Sequence, residues 1–205
     1  DILEDIVGHK VVSWRCPRLF GGTHVTNALE ELGYECDATY PMYFYNEQLF
    51  PYHPSQENWT EQGSLNLIEI IQFADMGMES KDDYGRDKDQ WPLYRTQSTE
   101  ALIPHIESFM SYLEKNDQSQ KPIVLCFYFH PWEFWEMPEG VIHYGEGGVM
   151  PDPFLTKGCG KYCLNQVELL IDWLKSRDAT FLTAGQCARK WKNILAKPDI
   201  KRTQR

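Results

Sequence analysis

The run Ile123-Val124-Leu125-Cys126-Phe127-Tyr128-Phe129 most constrains the fold. Rich in β-branched and aromatic residues and bounded by Pro122 and Pro131, it predicts a strand buried on both faces. The run ends on His130, and Pro131 stops further ladder pairing. A titratable imidazole at the mouth of a buried strand, beside Trp132, Glu133 and Trp135, is a candidate for chemistry. The plainer reading is a strand cap bonded to neighbouring backbone.

Apolar segments of both periods alternate along the rest of the chain. Residues 2–7 read as the end of a helix stopped by Gly8. A short strand is expected over 9–15, ending on Arg15. Thr23 is positioned to cap a helix whose face is Val25, Ala28, Leu29 and Leu32, and Gly33 ends it. Residues 34–39 predict a strand with Asp37 near its end. The turn-rich, aromatic stretch 41–62 reads as a functional or packed Ω-loop. A strand follows over 65–71, then a charged, solvated loop over 75–94. Leu102, Ile106, Phe109 and Leu113 define an amphipathic helix with Pro104 in its first turn. Residues 138–160 form a Gly/Pro-rich loop. Leu164, Val167, Leu170, Ile171 and Leu174 mark another helix, 179–182 a short strand, and Thr183 with Gln186 the capping box of a final helix. Residues 197–205 read as a polar tail. Such alternation predicts a mainly parallel sheet or barrel with helices outside, its site at the strand C-termini. Arg15, Asp37 and His130 all fall at or near such ends.

At 205 residues the length fits one domain. The net charge of -10 argues against nucleic acid or an anionic membrane surface as a partner. No apolar stretch approaches membrane-spanning length. Cys16, Cys36 and Cys126 read as small buried hydrophobes. Cys159 and Cys163 lack the second pair a structural zinc site needs, so they are expected as free thiols, with a local disulfide as the alternative. The opening residues, DILEDIVGHKVV, read as the middle of a domain, so a preceding segment is expected. A soluble protein is expected, with the cytoplasm favoured, export as the alternative, and a homo-oligomer allowed.

Three segments carry a family resemblance. Trp14-Arg15-Cys16-Pro17-Arg18, Gly33-Tyr34-Glu35-Cys36-Asp37-Ala38-Thr39 and Tyr128-Phe129-His130-Pro131-Trp132-Glu133-Phe134 stand in the order and spacing of motifs in the NodB-like polysaccharide deacetylases, carbohydrate esterase family four. The last resembles the H-P-W-E-F segment of one subgroup, and the ending ATFLTAGQCARKW also resembles that family's. The resemblance implies a distorted (β/α)7-type barrel of which this chain is the C-terminal part. It implies hydrolysis of C–N amide bonds, with N-deacetylation of an acetylated amino-sugar polymer as the best match. His130 then corresponds to the acid that protonates the leaving amine, Arg15 to the arginine that orients the catalytic carboxylate, and Asp37 to a supporting residue. Trp132 and Glu133 are expected either behind the catalytic residues or at the substrate wall, and Pro17 at the substrate.

The departure lies upstream. The family's aspartate-bearing segment, which supplies the base and a metal ligand, and its paired-histidine segment have no counterpart in the residues before Arg15. None of the 6 histidines forms a helical i, i+4 pair. A divalent metal, zinc by the resemblance, is therefore expected only with the missing N-terminal segment, and no ligand for it is assigned here. The alternatives are an allantoinase-like hydrolase of a small cyclic amide, a non-catalytic carbohydrate-binding relative without the metal, and a structural fragment completed by a partner chain.

Overall fold

The structure, a computed structural model, describes residues 2–117, 119–138 and 140–196. The expected polar tail over 197–205 lies outside the described residues. The helices, in chain order, are α1 (Ile2–Val7), α2 (Thr23–Glu31), α3 (Met42–Tyr45), α4 (Leu93–Thr96), α5 (Thr99–Asn116), α6 (Pro153–Thr156), α7 (Lys161–Lys175) and α8 (Ala184–Leu195). The strands are β1 (Ser13–Trp14), β2 (Cys36–Asp37), β3 (Ile68–Glu69), β4 (Ile142–Tyr144) and β5 (Gly147–Val149). The described residues divide into two compact units: residues 2–73, 113–117, 119–126 and 181–196 form the first, residues 74–112, 127–138 and 140–180 the second.

In the first unit, β1, β2 and β3 form a parallel sheet in that order. α8 packs on β2 and β3. Its start is the expected capping box: Thr183 N donates to Gln186 Oε1 at 2.9 Å, and Gln186 N to Thr183 Oγ1 at 3.2 Å. Trp191 of α8 is buried and stacks on Phe50, ring centres 5.9 Å apart. Leu29, Leu65 and Leu67 form a further core cluster with Val25 and Tyr34 against it. The aromatic loop is packed: Tyr40, Tyr52 and Trp59 are buried, Tyr40 lies 5.9 Å from Tyr52 and 5.8 Å from Trp59, and Tyr52 donates to Trp59 O at 2.7 Å. Gly8 and Gly33 stop α1 and α2 at φ +74° and +73°, the left-handed region that glycine enters without a Cβ clash.

Three expectations need correcting. The N-cap of α2 is Gly22, and Thr23 is the first helical residue, its hydroxyl accepting from Trp59 N at 3.2 Å instead. Residues 179–182 form no strand, and Phe181 and Leu182 are exposed. Residues 123–129 are half-buried and belong to no ladder, although Phe73 N donates to Cys126 O at 3.0 Å. An apolar run supplies side chains for a strand but not the neighbouring backbone that a ladder needs.

The second unit holds most of α5, whose residues Leu102, Ile106 and Phe109 are buried, as is Leu113 beyond them. α5 starts at Thr99, so Pro104 falls in its second turn, not its first. Ser98 caps it, its Oγ accepting from Ala101 N at 3.2 Å. α7 packs on α4 and buries Cys163, Gln166 and Leu170. The expected Gly/Pro-rich loop contains an antiparallel hairpin, β4–β5. Its turn opens on Gly145 at φ +55°. The stretch over 75–94 is not a solvated loop throughout: Asp75 is buried, accepting from His105 Nδ1 at 2.7 Å and Ser108 Oγ at 2.6 Å. Among the described residues no helix is long and apolar enough to cross a membrane. Each of the six cysteines, Cys159 and Cys163 included, is free.

Candidate functional site

The expected site residues fall into two groups. Arg15, Pro17 and Asp37 belong to the first unit, His130, Trp132 and Glu133 to the second.

In the first unit Asp37 pairs in register with Trp14 on one side and Glu69 on the other. Register neighbours in a sheet point their side chains to one face, about 5 Å apart. Two carboxylates therefore stand side by side, both 0 % exposed. Glu69 Oε1 accepts from Thr39 N at 3.1 Å and Tyr40 N at 2.8 Å, pinning the chain as it leaves β2. Asp37 Oδ1 accepts from Thr39 Oγ1, which itself accepts from Cys16 N at 2.9 Å. Asp37 Oδ2 and Glu69 Oε2 are buried without a donor. Burial pushes Asp37 up to about 6, opposed by the Thr39 and Ala38 hydrogen bonds and the charge of Arg15. Burial, then the charge of Asp37, pushes Glu69 well above the usual carboxylate range. Arg15 is brought next to Asp37: its Nε donates to Ala38 O at 2.9 Å and its Nη2 to Cys126 Sγ at 3.2 Å. Pro17 opens an exposed 3-10 turn, Pro17–Leu19. Glu69 was not among the expected site residues. Its signal was a lone carboxylate in the apolar run LNLIEII.

In the second unit the residues after His130 form a 3-10 turn, Pro131–Phe134, with His130 at its N-cap. Glu133 closes it. Its Oε2 accepts from His130 N at 2.7 Å and Trp91 Nε1 at 3.3 Å, and its Oε1 from Arg95 Nε at 2.9 Å. Arg95 and Glu133 have no exposed side-chain surface. Arg95 Nη1 also donates to Phe154 O at 3.2 Å and to Lys157 O, and its guanidinium lies 5.3 Å from the Trp132 ring centre. The carboxyl group of Glu133 thus belongs to the frame beneath the histidine. The His130 side chain is 42 % exposed, yet its Nδ1 is buried, 3.5 Å from Glu133 Oε2 and without a hydrogen bond. Its exposure lies elsewhere on the side chain. Trp91, Tyr128 and Trp132 surround it at ring-centre distances of 5.0, 5.7 and 5.4 Å. Asp89 fixes two of these walls, accepting from Trp91 N at 2.8 Å and Tyr128 OH at 2.7 Å. Burial pushes Asp89 up to about 6. Asp89, Trp91 and Arg95 escaped sequence reasoning because they lie in or beside the stretch read as solvated.

Among the described residues no three or more His, Cys, Asp or Glu side chains are grouped to hold a metal ion. The side chains described here do not fit the implied zinc, and no step below runs through it. No protein-family model, curated protein or solved structure matches this chain.

Proposed function

We propose that the chain is part of a hydrolase of non-peptide C–N amide bonds, acting on N-acetyl groups of an amino-sugar polymer. The observation that carries this reading is the setting of His130. Cleaving an amide requires a proton for the departing nitrogen, and an imidazole gives and takes protons near neutral pH. Glu133 holds the backbone of His130 and places a carboxylate at its inner nitrogen, while the rest of the side chain is partly open to solvent. Trp91, Tyr128 and Trp132 give that opening flat apolar walls of the kind sugar rings lie against. In this reading His130 protonates the leaving amine, Trp132 borders the substrate, and Glu133 with Arg95 keeps the imidazole in place.

The test is acetate release from an acetylated amino-sugar oligomer by the natural protein, run beside a small cyclic amide. Acetate release dependent on His130 supports the reading. Opening of the cyclic amide alone replaces it with the allantoinase-like one. Binding of the oligomer without turnover replaces it with the carbohydrate-binding one.

A further inference from the structure

The buried pair Asp37 and Glu69 has a chemical requirement that the role given to Asp37 leaves unmet. Two ionised carboxylates would stand on neighbouring strands without solvent, and Oδ2 of one and Oε2 of the other would each lack a donor. A buried, unpaired anionic oxygen is costly, and two like charges at this separation do not both persist. One proton resolves both problems. It removes a charge and turns an orphaned acceptor into a donor.

We infer that Asp37 and Glu69 share one proton at neutral pH, and that Glu69 is its holder. Glu69 has the stronger claim to the proton. Its Oε1 already receives two backbone amides, which fixes its side chain and leaves Oε2 to carry the hydrogen. Asp37 is held by the Thr39 hydroxyl at Oδ1 and lies close enough to Arg15 to feel its charge, so it carries the negative charge.

The neighbouring groups do not compete. Arg15, beyond β1, supplies a fixed positive charge. The Cys16, Cys36 and Cys126 thiols are all raised by burial, Cys36 to about 12. On the aromatic side burial raises Tyr40 to about 12 and Tyr52 further, with Glu47 adding its charge to both. Between pH 5 and 8 these thiols and phenols keep their protons.

The inference about the proton stands apart from the hydrolase reading. The experiment is therefore spectroscopic: carboxyl-carbon NMR of 13C-labelled Asp and Glu in the full chain, from pH 4 to 9, in wild type, Asp37→Asn and Glu69→Gln. Wild type should show one buried carboxyl titrating near neutral pH and a second that is still protonated when the first has ionised. Glu69→Gln keeps an acceptor for Thr39 N and Tyr40 N, and it should remove only the second signal. Asp37→Asn should lower the Glu69 midpoint by about one pH unit or more, because the like charge is gone. Two carboxyls fully ionised at pH 7, or a stoichiometric cation found between them by metal analysis, overturns the inference. Absence of deacetylation with the NMR pattern intact overturns only the reaction assigned above.

Discussion

The Arg95 guanidinium and the Glu133 carboxylate meet at 2.9 Å with neither side chain exposed, and the same carboxylate holds the backbone of His130 at 2.7 Å. The position of the candidate acid thus depends on a buried ion pair that no solvent can replace. Removing one partner leaves the other charged and unpaired. Glu133→Ala should lower unfolding stability by about 3–5 kcal/mol, read from denaturant midpoints. Glu133→Gln retains an acceptor for Arg95 and should cost less. A loss below about 1 kcal/mol for the alanine variant would mean that the pair does not hold this turn.

The acidic groups set the pH dependence of stability. Asp37 and Asp89 are each raised from 3.8 to about 6, and Glu69 is raised well above its ordinary value. The folded state therefore binds these protons more tightly than the unfolded chain. Their stabilisation is complete below about pH 4 and is lost as pH rises through about 6, and further for Glu69. Each proton contributes a slope of up to about 1.4 kcal/mol per pH unit within its window. Unfolding followed from pH 4 to 8 should show this fall, made shallower by Asp37→Asn. A flat profile with the same slope in the variant contradicts it.

Gly158 is a backbone constraint beside the same frame. It lies at φ +70°, and a Cβ there would stand 2.2 Å from the carbonyl oxygen of Arg95. That neighbour is main chain and cannot rotate away. Gly158→Ala should destabilise by about 1–3 kcal/mol from strain and overpacking. Thermal unfolding measures this, and an unchanged midpoint would show that the loop relaxes freely.

What the sequence revealed was local. Gly8 and Gly33 stop their helices because the conformation they adopt is a property of single residues. The Thr183–Gln186 box and the stripe of Leu102, Ile106 and Phe109 follow from spacing along one helix. Partners distant in sequence stayed hidden. Arg95 gave no signal because its carboxylate lies 38 positions away, and Asp75 looked solvated because its partners, His105 and Ser108, lie on α5. The segment 123–129 shows the converse failure: its composition suits a strand, but pairing is decided by neighbouring backbone. At the site, the H-P-W-E segment marked His130, whereas its walls Trp91 and Tyr128 and their anchor Asp89 emerged only from the fold.

The central claim is that His130 delivers a proton to a departing amine. Steady-state kinetics of acetate release by the natural protein and its His130→Ala variant test it most directly. The account predicts a fall in kcat of about 10²–10⁴-fold with little change in KM. Turnover unchanged in the variant would contradict it.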